Sequence, residues 1–96
     1  MIRLLVFALS CPALLTACNT NASVEDKQFC ATFARNAVDQ YNKAAKFPAC
    51  KKYIDQNRLR WQPVYENHYG GCLSLGATLS QNEQSIREGQ LLDCAR

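Results

Sequence analysis

Cysteine is the residue type in this chain with the most chemistry to offer. Six occur among 96 residues, at Cys11, Cys18, Cys30, Cys50, Cys72 and Cys94. Thiols can hold a metal, act as nucleophiles or pair as disulfides. A zinc site needs close-set ligands such as C-x-x-C, usually with histidines, and the chain has no C-x-x-C and one histidine, His68. A nucleophile needs a base positioned beside it. No motif sets His68 against a cysteine, and Ser74, Ser80 and Ser85 lie in no recognisable elbow or triad motif. These residues therefore make no catalytic set, no metal site and no cofactor site. Disulfide pairing is the use best suited to well-separated thiols in a short chain.

The remaining chemistry gathers in residues 58–72, RLRWQPVYENHYGGC, which hold Arg58, Arg60, Trp61, Tyr65, His68 and Tyr69. These are residue types enriched in binding hot spots. They are also the types that fill a small core, since an aromatic ring buries much apolar area in one side chain. In the first reading the six form a surface patch for a protein or an envelope glycan. In the second, which carries more weight, Trp61 and Tyr65 are core, His68 is a half-buried ring packed against a disulfide, and the arginines are solvated.

Several elements must position these groups. Residues 1–17, MIRLLVFALSCPALLTA, have a positive start at Arg3 and an apolar run broken only by Ser10 and Pro12. That is export-signal architecture, too short for a permanent membrane span. Residues 18–22 form a short polar tether and residues 23–96 a single domain. Ser23 is a good N-cap, with Glu25 and Asp26 in the first turn. Cys30, Phe33, Ala34, Ala37, Tyr41, Ala44 and Ala45 then recur at helical spacing, which predicts a first helix over 24–46, broken by Pro48. A helical turn fits 51–56. Pro63 suits the first turn of a second helix, carrying Trp61, Tyr65, His68, Cys72 and Leu75 on one face. The Gly70-Gly71 pair should kink or shorten it, and Gly76 should stop it. Ser80-Gln81-Asn82-Glu83 reads as a capping box that opens a third helix over 81–94. No strand alternation or hairpin signal is present. The expected fold is all-α, a small three-helix domain.

The tetrapeptide Leu15-Thr16-Ala17-Cys18 resembles the lipobox of bacterial lipoproteins. The resemblance implies a diacylglycerol on the Cys18 thiol, cleavage before Cys18 and acylation of the new amino terminus. Two or three acyl chains exceed what stable anchoring needs, since one chain at ~0.8 kcal/mol per methylene binds only marginally. Asn19, rather than Asp, after the lipid site favours the outer membrane, with the domain facing the periplasm or the cell surface. With Cys11 removed and Cys18 acylated, four cysteines remain, an even number suited to an oxidising compartment.

Helix lengths constrain how those four pair. About sixteen residues of helix at ~1.5 Å each separate Cys30 from the end of the first helix, roughly 24 Å. The few residues that follow cannot bring Cys50 back to within the ~7 Å a disulfide requires. Cys72–Cys94 fails likewise. An up-down-up arrangement gives Cys30–Cys72 with Cys50–Cys94, preferred over Cys30–Cys94 with Cys50–Cys72.

The mature part is also similar to a recurrent four-cysteine helical module of small exported bacterial proteins. The matching stretches are FCATFARNAVDQYN, LRW, NHYGGCLS and NEQSIREGQLLDC, with Gly70-Gly71 standing where a bulky residue commonly precedes the cysteine. That resemblance implies the helices and the disulfides and carries no activity. The eleven Lys and Arg against eight Asp and Glu, a formal charge of +3, are spread along the chain rather than gathered in the stripe that marks a nucleic-acid binder. The expected function is that of a lipid-anchored envelope protein acting as a non-enzymatic interaction module. It would serve as a component of an envelope, secretion or conjugation assembly, or as an exclusion factor, with a protein partner in the envelope. The alternative is a periplasmic inhibitor of a hydrolase such as lysozyme, against which the basic balance counts mildly.

Overall fold

The computed structural model describes residues 22–96. Cys11, the Leu15-Thr16-Ala17-Cys18 motif and nearly all of the tether lie outside the described residues. Among the described residues there are four α-helices and no strand, so the domain is all-α as expected.

Helix α1 runs Val24–Ala44. It starts where the sequence places it because the Ser23 hydroxyl accepts a hydrogen bond from the Asp26 backbone N–H at 3.0 Å. Glu25 and Asp26 lie in the first turn and Lys43 in the last, each matching the helix dipole. The buried stripe is Cys30, Phe33, Ala34, Ala37 and Ala44, the face that the 3.6-residue period selects. Pro48 opens a 3₁₀ turn, Pro48–Cys50, leading into the short helix α2, Lys51–Gln56. Helix α3 spans Tyr65–Leu75 and helix α4 spans Ala77–Cys94. Helix α1 packs most extensively against α3 and then against α4.

Both disulfides follow the preferred pairing. Cys30–Cys72 brings Cα atoms to 5.5 Å and Cys50–Cys94 to 5.0 Å. The start of α1 is thereby tied to the end of α3, and the turn after α1 to the end of α4, so α3 runs opposite to α1 and α4 runs alongside it. Each bridge sits in its own apolar cluster. One cluster holds Cys30, Phe33 and Cys72, while the larger holds Ala44, Cys50, Ile54, Trp61, Leu91 and Cys94.

Three local expectations are corrected. Trp61 does not lie on α3, which begins four residues later at Tyr65. Val64 is extended, with φ −90° and ψ 105°, so Pro63 precedes the helix instead of opening it. The connection instead closes back on itself through the Trp61 N–H bond to the Asn57 carbonyl at 2.9 Å, which drives the indole into the larger cluster at 1% exposure. Burying an indole of roughly 200 Å² contributes on the order of 5 kcal/mol at ~25 cal/mol per Å².

The capping box is not used either. Gly76, at φ +88° and ψ 169°, ends α3 and also caps α4, so the last helix starts at Ala77. Ser80 is then interior to α4 and fully buried. Finally, Gly70 and Gly71 do not end α3, which continues through them to Leu75. The Cys72 bridge and packing on α1 hold the helix where propensity alone would not.

Candidate functional site

Between the two clusters, α1 buries only the small residues Ala34 and Ala37, both at 0% exposure. The waist of the bundle is occupied by a charged side chain. Arg87 projects from α4 and is 1% exposed, with its guanidinium carbon 5.0 Å from the centre of the Phe33 ring. Its Nε donates to Gln40 Oε1 at 2.6 Å, and its Nη1 lies 3.9 Å from Glu83 Oε2. The remaining nitrogen, Nη2, is buried and has no hydrogen-bond partner among the described residues.

Glu83, one turn earlier on α4, is already engaged. Arg60 grips it in a fork, Nε to Oε2 and Nη2 to Oε1, both at 2.9 Å. This fork holds the Glu83 carboxyl below its ordinary range, although partial burial opposes the effect. The same bond raises the Arg60 guanidinium. Two arginines thus share one carboxylate, and the bidentate geometry gives Arg60 the stronger claim.

His68, from α3, completes this polar layer. It is 6% exposed, and its Nε2 lies 2.8 Å from the Gln62 carbonyl oxygen. A carbonyl can only accept, so Nε2 carries the proton. Burial pushes the imidazole pKa down, with a smaller push from Arg87, while the Gln62 carbonyl and Glu83 pull it up. The neutral ring that results has Nδ1 as its acceptor.

These groups line an open cleft of ≈710 Å³, whose apolar walls include Phe33, Leu59, Cys72 and Leu75. Counting Arg60, Arg87 and Glu83 with a neutral His68, the lining carries one positive charge in excess. Among the described residues no cluster of His, Cys, Asp and Glu could hold a metal ion.

The six residues singled out in 58–69 do not form one surface. Arg60 and His68 reach the cleft. Trp61 is core, its indole N–H donating to Gln90 Oε1 at 2.8 Å. Tyr65 and Tyr69 stack on each other along α3, with centroids 5.9 Å apart. Arg58 points to solvent and pairs with Asp55 at 2.6 Å. Sequence reasoning missed Arg87, Glu83 and Gln40 as site residues. The available signal was the Glu83/Arg87 spacing of four residues, a pattern that ordinarily marks a solvated helix face. Among the described residues no helix is long and apolar enough to cross a membrane. Comparison with known proteins finds no matching family model, no matching curated protein and no matching solved structure.

Proposed function

We propose that this chain is a lipid-anchored envelope lipoprotein that acts as a non-enzymatic interaction module and presents the cleft between α3 and α4 to a protein partner. The anchor would be the acylated Cys18, with Asn19 directing the protein to the outer membrane. The observation that carries the reading is the lipobox-like Leu15-Thr16-Ala17-Cys18, set just before a domain closed by two disulfides. Such bridges persist in an oxidising compartment, where an exported lipoprotein resides. An assembly component or an exclusion factor both fit a small, covalently braced domain with an open cleft on one side.

Palmitate labelling and membrane fractionation of the full chain and of Cys18→Ala test the anchor. The reading requires label and membrane association that Cys18→Ala abolishes. Unlabelled parent protein, or a variant that fractionates normally, refutes it. Photo-crosslinking in intact cells from Asn67, which lines the cleft, tests the partner and should give a discrete adduct. The inhibitor reading is favoured by Leu59, which stands 83% exposed on the connection before α3. It predicts that crosslinks from Leu59 capture a hydrolase.

A further inference from the structure

We infer that the domain stands end-on on the bilayer, with the α3–α4 turn and the start of α1 seated in the headgroup layer and Leu73, Leu75 and Leu79 as the contact. The occupant of this apolar end is a lipid surface. The inference rests on the Cys18 anchor proposed above and goes beyond it by fixing which end of the domain meets the membrane.

Topology gathers three helix termini at one end. The Cys30–Cys72 bridge sets its Cα atoms 5.5 Å apart, with α1 and α3 running in opposite directions. From that level α1 reaches back to Val24, roughly 9 Å at ~1.5 Å per residue, and α3 reaches the same way to Leu75, roughly 4.5 Å. Gly76 then turns the chain directly into α4, which starts beside them at Ala77. Val24, Leu73, Leu75 and Leu79 are all exposed at this end. Their spread along the axis matches the ~5–10 Å to which apolar groups sink at a lipid interface.

Charge marks the same end. No Asp, Glu, Lys or Arg occurs from Asn67 to Asn82, a run that spans the α3–α4 turn and contains all three leucines. The other exposed large apolar residues among the described residues are Leu59, Val64, Ile86 and Leu92, and each has a charged residue within two positions. The opposite end of the domain holds Lys51, Lys52, Asp55, Arg58, Asp93 and Arg96, ion-paired with one another at the surface. Charged groups of that kind resist leaving water, whereas an uncharged tip with exposed leucines gains by doing so. Glu25, Asp26 and Lys27 open α1 near the tip and sum to one negative charge, so the contact is apolar and gains nothing from anionic lipid.

The length of chain leading to the anchor excludes the inverse arrangement. Five residues lead from Cys18 to Ser23 and span at most ~18 Å. Helix α1, with 21 residues, is about 31 Å long. A domain standing on its other end would hold Val24 farther from the lipid than the tether reaches. The seated orientation also places Asn67, about 12 Å along α3 from Leu75, on the side of the cleft turned away from the bilayer, where a partner can approach.

The test uses the chain as its own export route processes it, labelled with nitrogen-15 and held one copy per nanodisc of phosphatidylcholine. A mass measurement first establishes the acyl chains. Lipid carrying chelated gadolinium at its headgroup then broadens each backbone N–H signal according to its distance. Seating predicts severalfold stronger broadening at Val24 and Leu73–Leu79 than at Lys51–Arg58, unchanged by high salt or by added anionic lipid. The double variant Leu75→Gln/Leu79→Gln alters side chains that are 50% and 52% exposed, so the fold is kept, as an unmoved Trp61 indole signal verifies. It should lower the ratio of seated to free domain at least about tenfold, and the broadening at the turn should fall with it.

The inference is overturned if the turn in the parent is broadened no more than Lys51–Arg58, if the double variant is broadened as the parent is, or if seating requires anionic lipid. A tip built for a second copy gives the first of these results, because each disc holds a single copy. Absence of acyl chains overturns the anchor reading and this inference together, whereas an acylated protein with an unbroadened turn overturns this inference alone.

Discussion

Replacing Cys50 and Cys94 together by alanine removes the bridge at the centre of the larger apolar cluster. The bond spans a sequence separation of 44 residues. The loop-closure entropy of a cross-link that long corresponds to about 4 kcal/mol. The other bridge hardly reduces this. The path from Cys50 back to Cys30, across to Cys72 and on to Cys94 is nearly as long as the direct one. A domain of this size has a total stability on the order of 4–11 kcal/mol, so the double variant should lose between about a third and all of it. Trp61 is the sole tryptophan and is 1% exposed in the same cluster, which makes its fluorescence a direct report. Urea unfolding followed by that emission should show the midpoint falling by about a third or more, up to a largely unfolded chain without urea. A loss below about 1 kcal/mol, with the transition still sharp, would refute the reasoning that the bridge acts by restricting the unfolded chain.

Two further outcomes follow from single positions. Gly76→Ala should cost about 1–3 kcal/mol, because φ +88° with ψ 169° is a backbone region nearly exclusive to glycine, whereas Gly70→Ala, in open space within α3, should stabilise by up to about 1 kcal/mol. Thermal melts of the two variants moving in the same direction would contradict this. His68 has a folded pKa depressed mainly by burial, so the unfolded chain takes up its proton first as pH falls. Stability is therefore full above the unfolded value of about 6.5 and is lost as pH drops from there through the lower folded pKa. Urea midpoints at several pH values should decline over that window in the parent and stay flat in His68→Gln. A midpoint that rises on acidification would show the opposite sign.

The parts of the fold legible in the sequence are those set by local signals or by length. The Ser23 cap, the apolar stripe of α1 and the break at Pro48 all act within a few residues. The pairing of the cysteines followed from how far a helix carries a chain before it can return. The spacing of Trp61 from Tyr65 mimics a helical face, while the real determinants of its position are a turn closed on Asn57 and a distant acceptor, Gln90. Ser80 resembles a cap because its neighbours fit the pattern, yet a positive-φ glycine four residues earlier begins the helix first. The cleft was the least legible feature. Arg87 and Glu83 look like a solvated pair until α1 supplies Gln40 and Phe33 and the segment before α3 supplies Arg60, contacts that span 23 to 54 positions of sequence.

The order in which the bridges alternate along the chain has a topological consequence. Cys30 joins Cys72 and Cys50 joins Cys94, so any single cut in the peptide backbone between 30 and 94 leaves both fragments connected by at least one sulfur–sulfur bond. Sequential pairing of neighbours would have allowed one cut between 50 and 72 to release half the domain. The connection that leads from α2 to α3, where Leu59 is 83% exposed, lies in that interval. A protease that nicks it produces a two-chain protein of unchanged mass, apart from one water, until a reductant separates the pieces.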